Sequence, residues 1–261
     1  MNEIQKIKDF LKKVKKIVAL TGAGISQESG IPTFRGKGGL WERYDPEKYA
    51  TLAGVIALLT FQPQNLAKFA TELYETIMHA KPSKAHYILA KLEHSGKLLA
   101  TITQNIDNLH QEAGQKRVIE LHGNIFEYRC DKCGKIEKME KEYFEEKIEF
   151  LKKRPTRKNL IAFLFRKCDC KGKMRPNIVM FGESLPRDAL RKAYELMEET
   201  EAVLLIGTSG IVAPACYLPH HAKSFEKVII EISPEETALT PICDFSIRGK
   251  ASQTLSLLFE E

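Results

Sequence analysis

Lys97-Leu98-Leu99-Ala100-Thr101-Ile102-Thr103-Gln104-Asn105-Ile106-Asp107-Asn108-Leu109-His110 is the stretch that decides how this chain is read. Its first half is an apolar run of strand length. Its second half, residues 103–110, has six polar residues in eight. A strand that hands over to amides, a carboxylate and an imidazole marks where open α/β sheets bind ligands, at strand carboxyl ends. Burying such groups is costly unless something hydrogen-bonds to them. Asn and Asp are also common in turns and at helix N-caps. That accounts for one such residue, but less well for Gln104 and Asn105 followed by Asp107.

Working outward, short apolar strands recur at 17–20, 118–121, 177–180, 202–206 and 227–232. Helical patterns occupy 82–93, where Ala85, Ile88, Leu89 and Leu92 share a face, then 186–199 and 251–259. Residues 1–16 read as an amphipathic first helix, and the segment from the turn at 21–24 to Pro82 as helices and loops. Strands alternating with helices predict an α/β fold with a doubly wound parallel sheet. From Tyr128 the composition changes. Residues 130–173 read as an insertion, with a charged helical stretch at 139–154 that a solvated lobe would explain.

The 261 residues are 43% hydrophobic and 28% charged, enough for a large domain plus a smaller one. No apolar run reaches about 18 residues, so no membrane helix is expected. The N-terminal segment lacks a cleavable apolar core, and a cytoplasmic location is expected. A net charge of +6 suits an acidic partner or a phosphorylated ligand, though a solvated Lys/Glu surface explains it at least as well, and a chromatin- or nucleic-acid-associated protein is a candidate partner. Four of six cysteines form two tight pairs, which favours metal over disulfides.

Gly22-Ala23-Gly24-Ile25-Ser26 follows the 17–20 strand directly. Glycines there let backbone N–H groups approach a pyrophosphate. The third glycine of the dinucleotide fingerprint is replaced by Gln27, and a tight turn without ligand is the simpler alternative. Phe34 and Arg35, flanked by Pro32 and Gly36, suit a flap over a ligand. A second loop, Gly207-Thr208-Ser209-Gly210, follows the 202–206 strand. Ser233 and Glu235 lie 26 and 28 residues beyond Gly207, near the offset of a ribose-binding acid.

Cys130-x-x-Cys133 and Cys168-x-Cys170 suit two knuckles around a tetrahedral, structural Zn²⁺. A nucleic-acid-reading zinc ribbon is the alternative, resting only on nearby lysines. Cys216 and Cys243 read as small buried residues. His122, at a strand end, is a candidate general base. The other histidines read as structural, with His110 capping or orienting the polar string.

In order along the chain, these motifs resemble the sirtuin family of NAD-dependent protein deacylases. The matching pieces are Gly22 to Ser26, Gly30-Ile31-Pro32-Thr33-Phe34-Arg35, Gly39-Leu40-Trp41, the 103–110 string, His122-Gly123, the four cysteines, Met180-Phe181-Gly182-Glu183, Gly207-Thr208-Ser209 and residues 244–249. The resemblance implies a Rossmann-like NAD-binding domain over 1–127 and 174–261. It also implies a zinc-binding module over 128–173, joined in the small domain by helices from within 36–80. Gly22, Ala23, Gly24, Ile25, Ser26, Phe34, Arg35, Gln104, Asn105, Ile106, Asp107, Gly207, Thr208, Ser209, Ser233, Pro234, Glu235 and Ala251 would contact NAD. Val179, Phe181, Gly182 and Glu183 would bind an acyl-lysine peptide by β-augmentation. Asn105 and Asp107 would hold nicotinamide while the acyl oxygen attacks the ribose. His122 would then act as base on a ribose hydroxyl, leaving free lysine, nicotinamide and O-acyl-ADP-ribose.

Two departures stand out. Ser233 replaces an Asn common among relatives, and 34 residues separate the cysteine pairs. Relatives that remove succinyl or malonyl groups carry Tyr and Arg three residues apart after the Gly-Leu-Trp motif. Here no arginine occurs between Arg43 and Arg117, so acetyl or apolar acyl substrates are expected. Rivals are an NAD-dependent dehydrogenase, a mono-ADP-ribosyltransferase, and a zinc-ribbon nucleic-acid binder regulated by NAD.

Overall fold

The structure, a computed structural model, describes residues 3–36 and 38–260. Met1, Asn2, Lys37 and Glu261, which fall inside ranges drawn above, lie outside the described residues. Among those described, ten strands form two sheets. They are β1 (Ile17–Thr21), β2 (Leu98–Thr103), β3 (Val118–Glu120), β4 (Gly123–Cys130), β5 (Ile136–Lys138), β6 (Arg166–Lys167), β7 (Lys173–Ile178), β8 (Ala202–Ile206), β9 (Val228–Ile232) and β10 (Phe245–Ile247).

The six-stranded sheet runs β10-β9-β8-β1-β2-β3, and every pairing is parallel. Strand order reverses between β1 and β8, the topological switch point where doubly wound folds bind their ligands. Alternate residues of a strand face opposite layers, and a bulge between Leu98 and Ala100 shifts that alternation within β2. Ile17, Ala19, Leu98 and Leu204 pack against the helices Glu3–Lys13, Lys84–His94 and Ala251–Phe259. Val18, Leu20, Ile102 and Val203 pack against Arg187–Glu199 and Tyr217–Ser224. Both faces are thereby covered, as an all-parallel sheet requires.

The antiparallel sheet runs β5-β4-β7-β6 and carries the cysteines. It shares a core with the helices Leu52–Phe61, Pro63–His79, Lys141–Lys153 and Arg157–Leu164.

Three expectations need correction. The apolar run at 177–180 does not join the parallel sheet. Its first two residues close β7, which pairs antiparallel with β4 through Gly123↔Ile178 and Asn124↔Asn177. Val179 and Met180 leave the strand for a turn. Second, residues 139–154 are not a solvated lobe. The Lys141–Lys153 helix buries Phe144, Ile148 and Leu151, and Arg157–Leu164 adds Leu160 and Phe163. Their apolar positions recur at helical spacing behind a charged outer face. Third, Cys216 and Cys243 are only half-buried. The small sheet also begins at Gly123, upstream of the composition change at Tyr128.

Candidate active site

The glycine loops after β1 and β8 meet at the switch point. Gly24 N–H donates to the Gly207 carbonyl at 2.9 Å. A Cβ on Gly24 would stand 2.6 Å from the Gly207 Cα, so a side chain there would force the loops apart. Beside them opens a cavity of about 830 Å³.

Of the residues expected to contact NAD, Gly22, Ala23, Gly24, Phe34, Arg35, Gln104, Asn105, Ile106, Gly207, Thr208, Ser209, Ser233, Pro234 and Glu235 line this cavity. His122 lines it too, as do Val179, Phe181, Gly182 and Glu183. Ile25, Ser26, Asp107 and Ala251 are not part of the lining. Ile25 and Ala251 belong to the core of the parallel sheet. Ser26 and Asp107 act one step removed: Ser26 Oγ donates to Asp107 Oδ2 at 2.7 Å and accepts from Asn105 Nδ2 at 3.1 Å. Asn105 Nδ2 also donates to the Gly22 carbonyl, at 3.2 Å. The amide is therefore oriented from behind, with its nitrogen engaged in both bonds. Asp107 is 4% exposed; burial pushes its pKa up, while the Ser26 hydroxyl and the Leu109 N–H pull it back.

Gln104 ties the two halves of the site together. Its Nε2 donates to Thr208 Oγ1 at 2.8 Å, and its carbonyl accepts from His122 Nδ1 at 2.8 Å. A carbonyl can only accept, so Nδ1 carries the hydrogen. In neutral His122 the lone pair is then on Nε2. Burial lowers the His122 pKa below its usual value, against the pull of the Gln104 bond, and this favours the neutral ring at neutral pH. His110 takes the supporting place expected of it, buried between Thr21 Oγ1 and Gln115 Oε1.

The turn at 180–183 is braced by charge. Glu183 Oε2 accepts from Met180 N–H at 3.0 Å, and Oε1 takes Arg175 Nη2 at 2.6 Å. Val179 N–H donates to the His122 carbonyl at 3.0 Å, joining this turn to the histidine. Arg175 also reaches Asp131, next to Cys130, at 3.2 Å.

Sequence reading missed the aromatic and aliphatic part of the lining: Trp41, Tyr49, Phe69 and Leu73. Phe34 stacks on Trp41 at 5.4 Å, and Trp41 meets Phe181 edge-on at 5.9 Å. The Gly-Leu-Trp motif hinted at Trp41. Nothing in the sequence distinguished Tyr49, Phe69 or Leu73 from ordinary core residues.

The four cysteines converge as expected, with all Sγ atoms within 4.8 Å of one another. The Cys130–Cys170 and Cys133–Cys168 separations are 3.5 and 3.7 Å. Zn–S bonds of about 2.3 Å in a tetrahedron place sulfurs about 3.8 Å apart, so the set fits Zn²⁺. Gly172 fits beside them because a Cβ there would lie 2.7 Å from Cys130 Sγ. With four protein ligands, no position is left for a reacting water.

Residues 22–214 match the model of the Sir2 family. The chain belongs to the Sir2 family. Among similar proteins is an NAD-dependent protein deacylase of Pyrococcus abyssi, 43% identical over 259 residues, covering 99% of this chain and 97% of that one. Its counterpart in Aquifex aeolicus is 43% identical and covers 94% of each chain. A solved Sir2 homolog–NAD complex superposes with a TM-score of 0.80 at 39% identity, covering 98% of this chain and 92% of the other. A Sir2 complex with deacetylated p53 peptide and acetyl-ADP-ribose gives a TM-score of 0.80 at 36% identity, covering 99% and 98%. The sirtuin resemblance and the Sir2 fold, a Rossmann-like sheet plus a small four-cysteine sheet, thus agree. Among the described residues, no helix is long and apolar enough to cross a membrane.

Proposed function

We infer that this Sir2-family chain is an NAD-dependent protein-lysine deacylase, acting first on acetyl-lysine. The observation that carries this is the convergence of His122, the Gln104–Asn105 amides and two abutting glycine loops in one cavity. NAD, when bound, would supply an electrophilic ribose carbon for the acyl oxygen to attack and a neighbouring ribose hydroxyl to carry the acyl group away.

The roles of the chain's own residues follow from their surroundings. The Gly22–Gly24 and Gly207–Ser209 backbones suit the phosphates. Ser233, Pro234 and Glu235, at the end of β9, suit the adenosine ribose. Asn105, held by Gly22 and Ser26, presents its amide to the nicotinamide end, with Asp107 fixing Ser26 behind it. His122 accepts a proton from a sugar hydroxyl through Nε2. Phe34, stacked on Trp41, screens the reacting centre from water. Val179, Phe181 and Gly182 offer an edge to the substrate backbone, whereas Glu183 shapes the turn. Zn²⁺, held by Cys130, Cys133, Cys168 and Cys170, has a structural part only.

Acyl-lysine peptides are the substrates. The lining supplied by Leu40, Trp41, Tyr49, Phe69 and Leu73 carries no charge, so a succinyl group should be a poor fit. We divide the chain into a large domain built on the parallel sheet, residues 3–35, 81–122 and 179–260, and a small domain in which the antiparallel sheet is joined by Leu52–Phe61, Pro63–His79, Lys141–Lys153 and Arg157–Leu164. A client associated with chromatin or nucleic acid is a further proposal, supported by the +6 net charge. A cytoplasmic location is supported by six cysteines free of disulfides. The test is NAD turnover: nicotinamide release should require acetyl-lysine peptide and should produce no reduced NAD.

A further inference from the structure

The 34 residues between the cysteine pairs have no part in the scheme above, yet they do not hang in solvent. Phe144 and Phe163 are 0% and 2% exposed. Both rings press on one side chain of the Pro63–His79 helix. Tyr74 stacks on Phe144 at 5.2 Å and meets Phe163 edge-on at 5.0 Å. Such ring pairs attract one another beyond the effect of the area they bury. Lys152 Nζ adds a contact to the neighbouring Glu75 at 2.5 Å.

The same helix faces the cavity with Phe69 and Leu73. Leu73 directly precedes Tyr74, and Phe69 lies about one turn earlier. A helix moves as a rigid rod on this scale. Whatever fixes Tyr74 therefore fixes the distance that Leu73 and Phe69 project into the apolar end of the cavity. On the other side, Phe69 is held by Tyr44 and Tyr49, each at 4.9 Å. The helix is thus clamped between those tyrosines and the inter-cysteine segment.

We propose that the segment between the cysteine pairs sets acyl-chain selectivity, with Phe144 and Phe163 acting as positioning residues that fix the depth of the acyl pocket through Tyr74. This rests on the deacylase reading. Removing either ring lets the helix retreat, which enlarges the pocket and favours longer aliphatic chains over acetyl.

The experiment uses full-length, zinc-loaded protein with Phe144→Leu, Phe163→Leu and, as a milder variant that leaves the core intact, Lys152→Ala. Activity is measured on acetyl-, butyryl-, octanoyl- and myristoyl-lysine peptides, with KM for NAD alongside. Either Leu variant should raise the octanoyl-to-acetyl ratio of kcat/KM about 10-fold, the scale of small volume changes in an apolar pocket. KM for NAD should stay within about twofold of wild type. Lys152→Ala should shift the ratio in the same direction by less. Should the Leu variants fail to fold, Lys152→Ala alone decides. An equal loss on every acyl length, or an unchanged ratio in folded variants, overturns the proposal while the deacylase reading stands. A wild-type protein inert on every peptide overturns both.

Discussion

His122 donates from Nδ1 to the carbonyl of Gln104 across 2.8 Å, and this one bond assigns the imidazole its chemistry. It leaves the lone pair of the neutral ring on Nε2, the nitrogen required of a base. Burial lowers the His122 pKa from 6.5, so the ring is neutral at and above neutral pH. The kcat/KM profile should therefore be flat through neutrality, with its acid limb displaced below the ordinary histidine range. His122→Ala should cost about 10²–10⁴ in kcat, the usual worth of a general base, with unchanged circular dichroism and zinc content. Near-wild-type turnover in this variant would contradict the role.

Arg175 and Glu183 hold the turn that the substrate peptide should meet. Arg175 is 14% exposed and Glu183 24%, so truncation leaves a partly buried carboxylate short of its partner. Arg175→Ala should raise KM for peptide about 10-fold, with KM for NAD within about twofold. Equal effects on both constants would mean that the bridge serves the fold alone.

Glu120 carries a pH signature of its own. Burial raises its pKa from 4.5 to about 7, although Gln111 Nε2 and Asn124 Nδ2 both donate to its Oε1. The folded protein therefore keeps a proton that the unfolded chain has already lost. This contribution to stability is full below pH 4.5 and is lost as pH rises through about 7. Glutamine keeps the carbonyl acceptor and never ionises. Relative to wild type, the Tm of Glu120→Gln should climb between about pH 5 and about pH 8, by roughly 3 °C or more. Parallel curves would contradict the assigned burial cost.

The cysteine cluster should bind one zinc per chain. Cys133→Ser should lose stoichiometric metal and melt at lower temperature, because binding free energy at such sites is folding free energy. Wild-type metal content and melting in this variant would rule out a four-thiolate site.

Much of this architecture is legible in the residues themselves, for physical reasons. β1, β2, β8 and β9 are largely buried on both faces, so they read as mostly apolar runs, interrupted by threonines in β1 and β2 and by Glu231 in β9. Gly22, Gly24, Gln104, Asn105 and His122 stand where those runs or β3 end, and their chemistry has few uses there without a ligand. The cysteines announce themselves by spacing. Ile178-Val179-Met180 does not, because an apolar triplet looks the same whichever sheet receives it; only the pairing of Gly123 with Ile178 decides. The inter-cysteine helices hide Phe144, Ile148 and Leu151 among lysines and glutamates. Phe69 and Leu73 sit on a helix whose inward face serves both core and cavity, a division that periodicity does not carry.

The most direct test of the central claim is a mass analysis of the products formed from NAD and an acetyl-lysine peptide. The site predicts deacetylated peptide, nicotinamide and O-acetyl-ADP-ribose in equal amounts. Free acetate without acetyl-ADP-ribose, reduced NAD, or ADP-ribose attached to protein in place of deacetylation would contradict it.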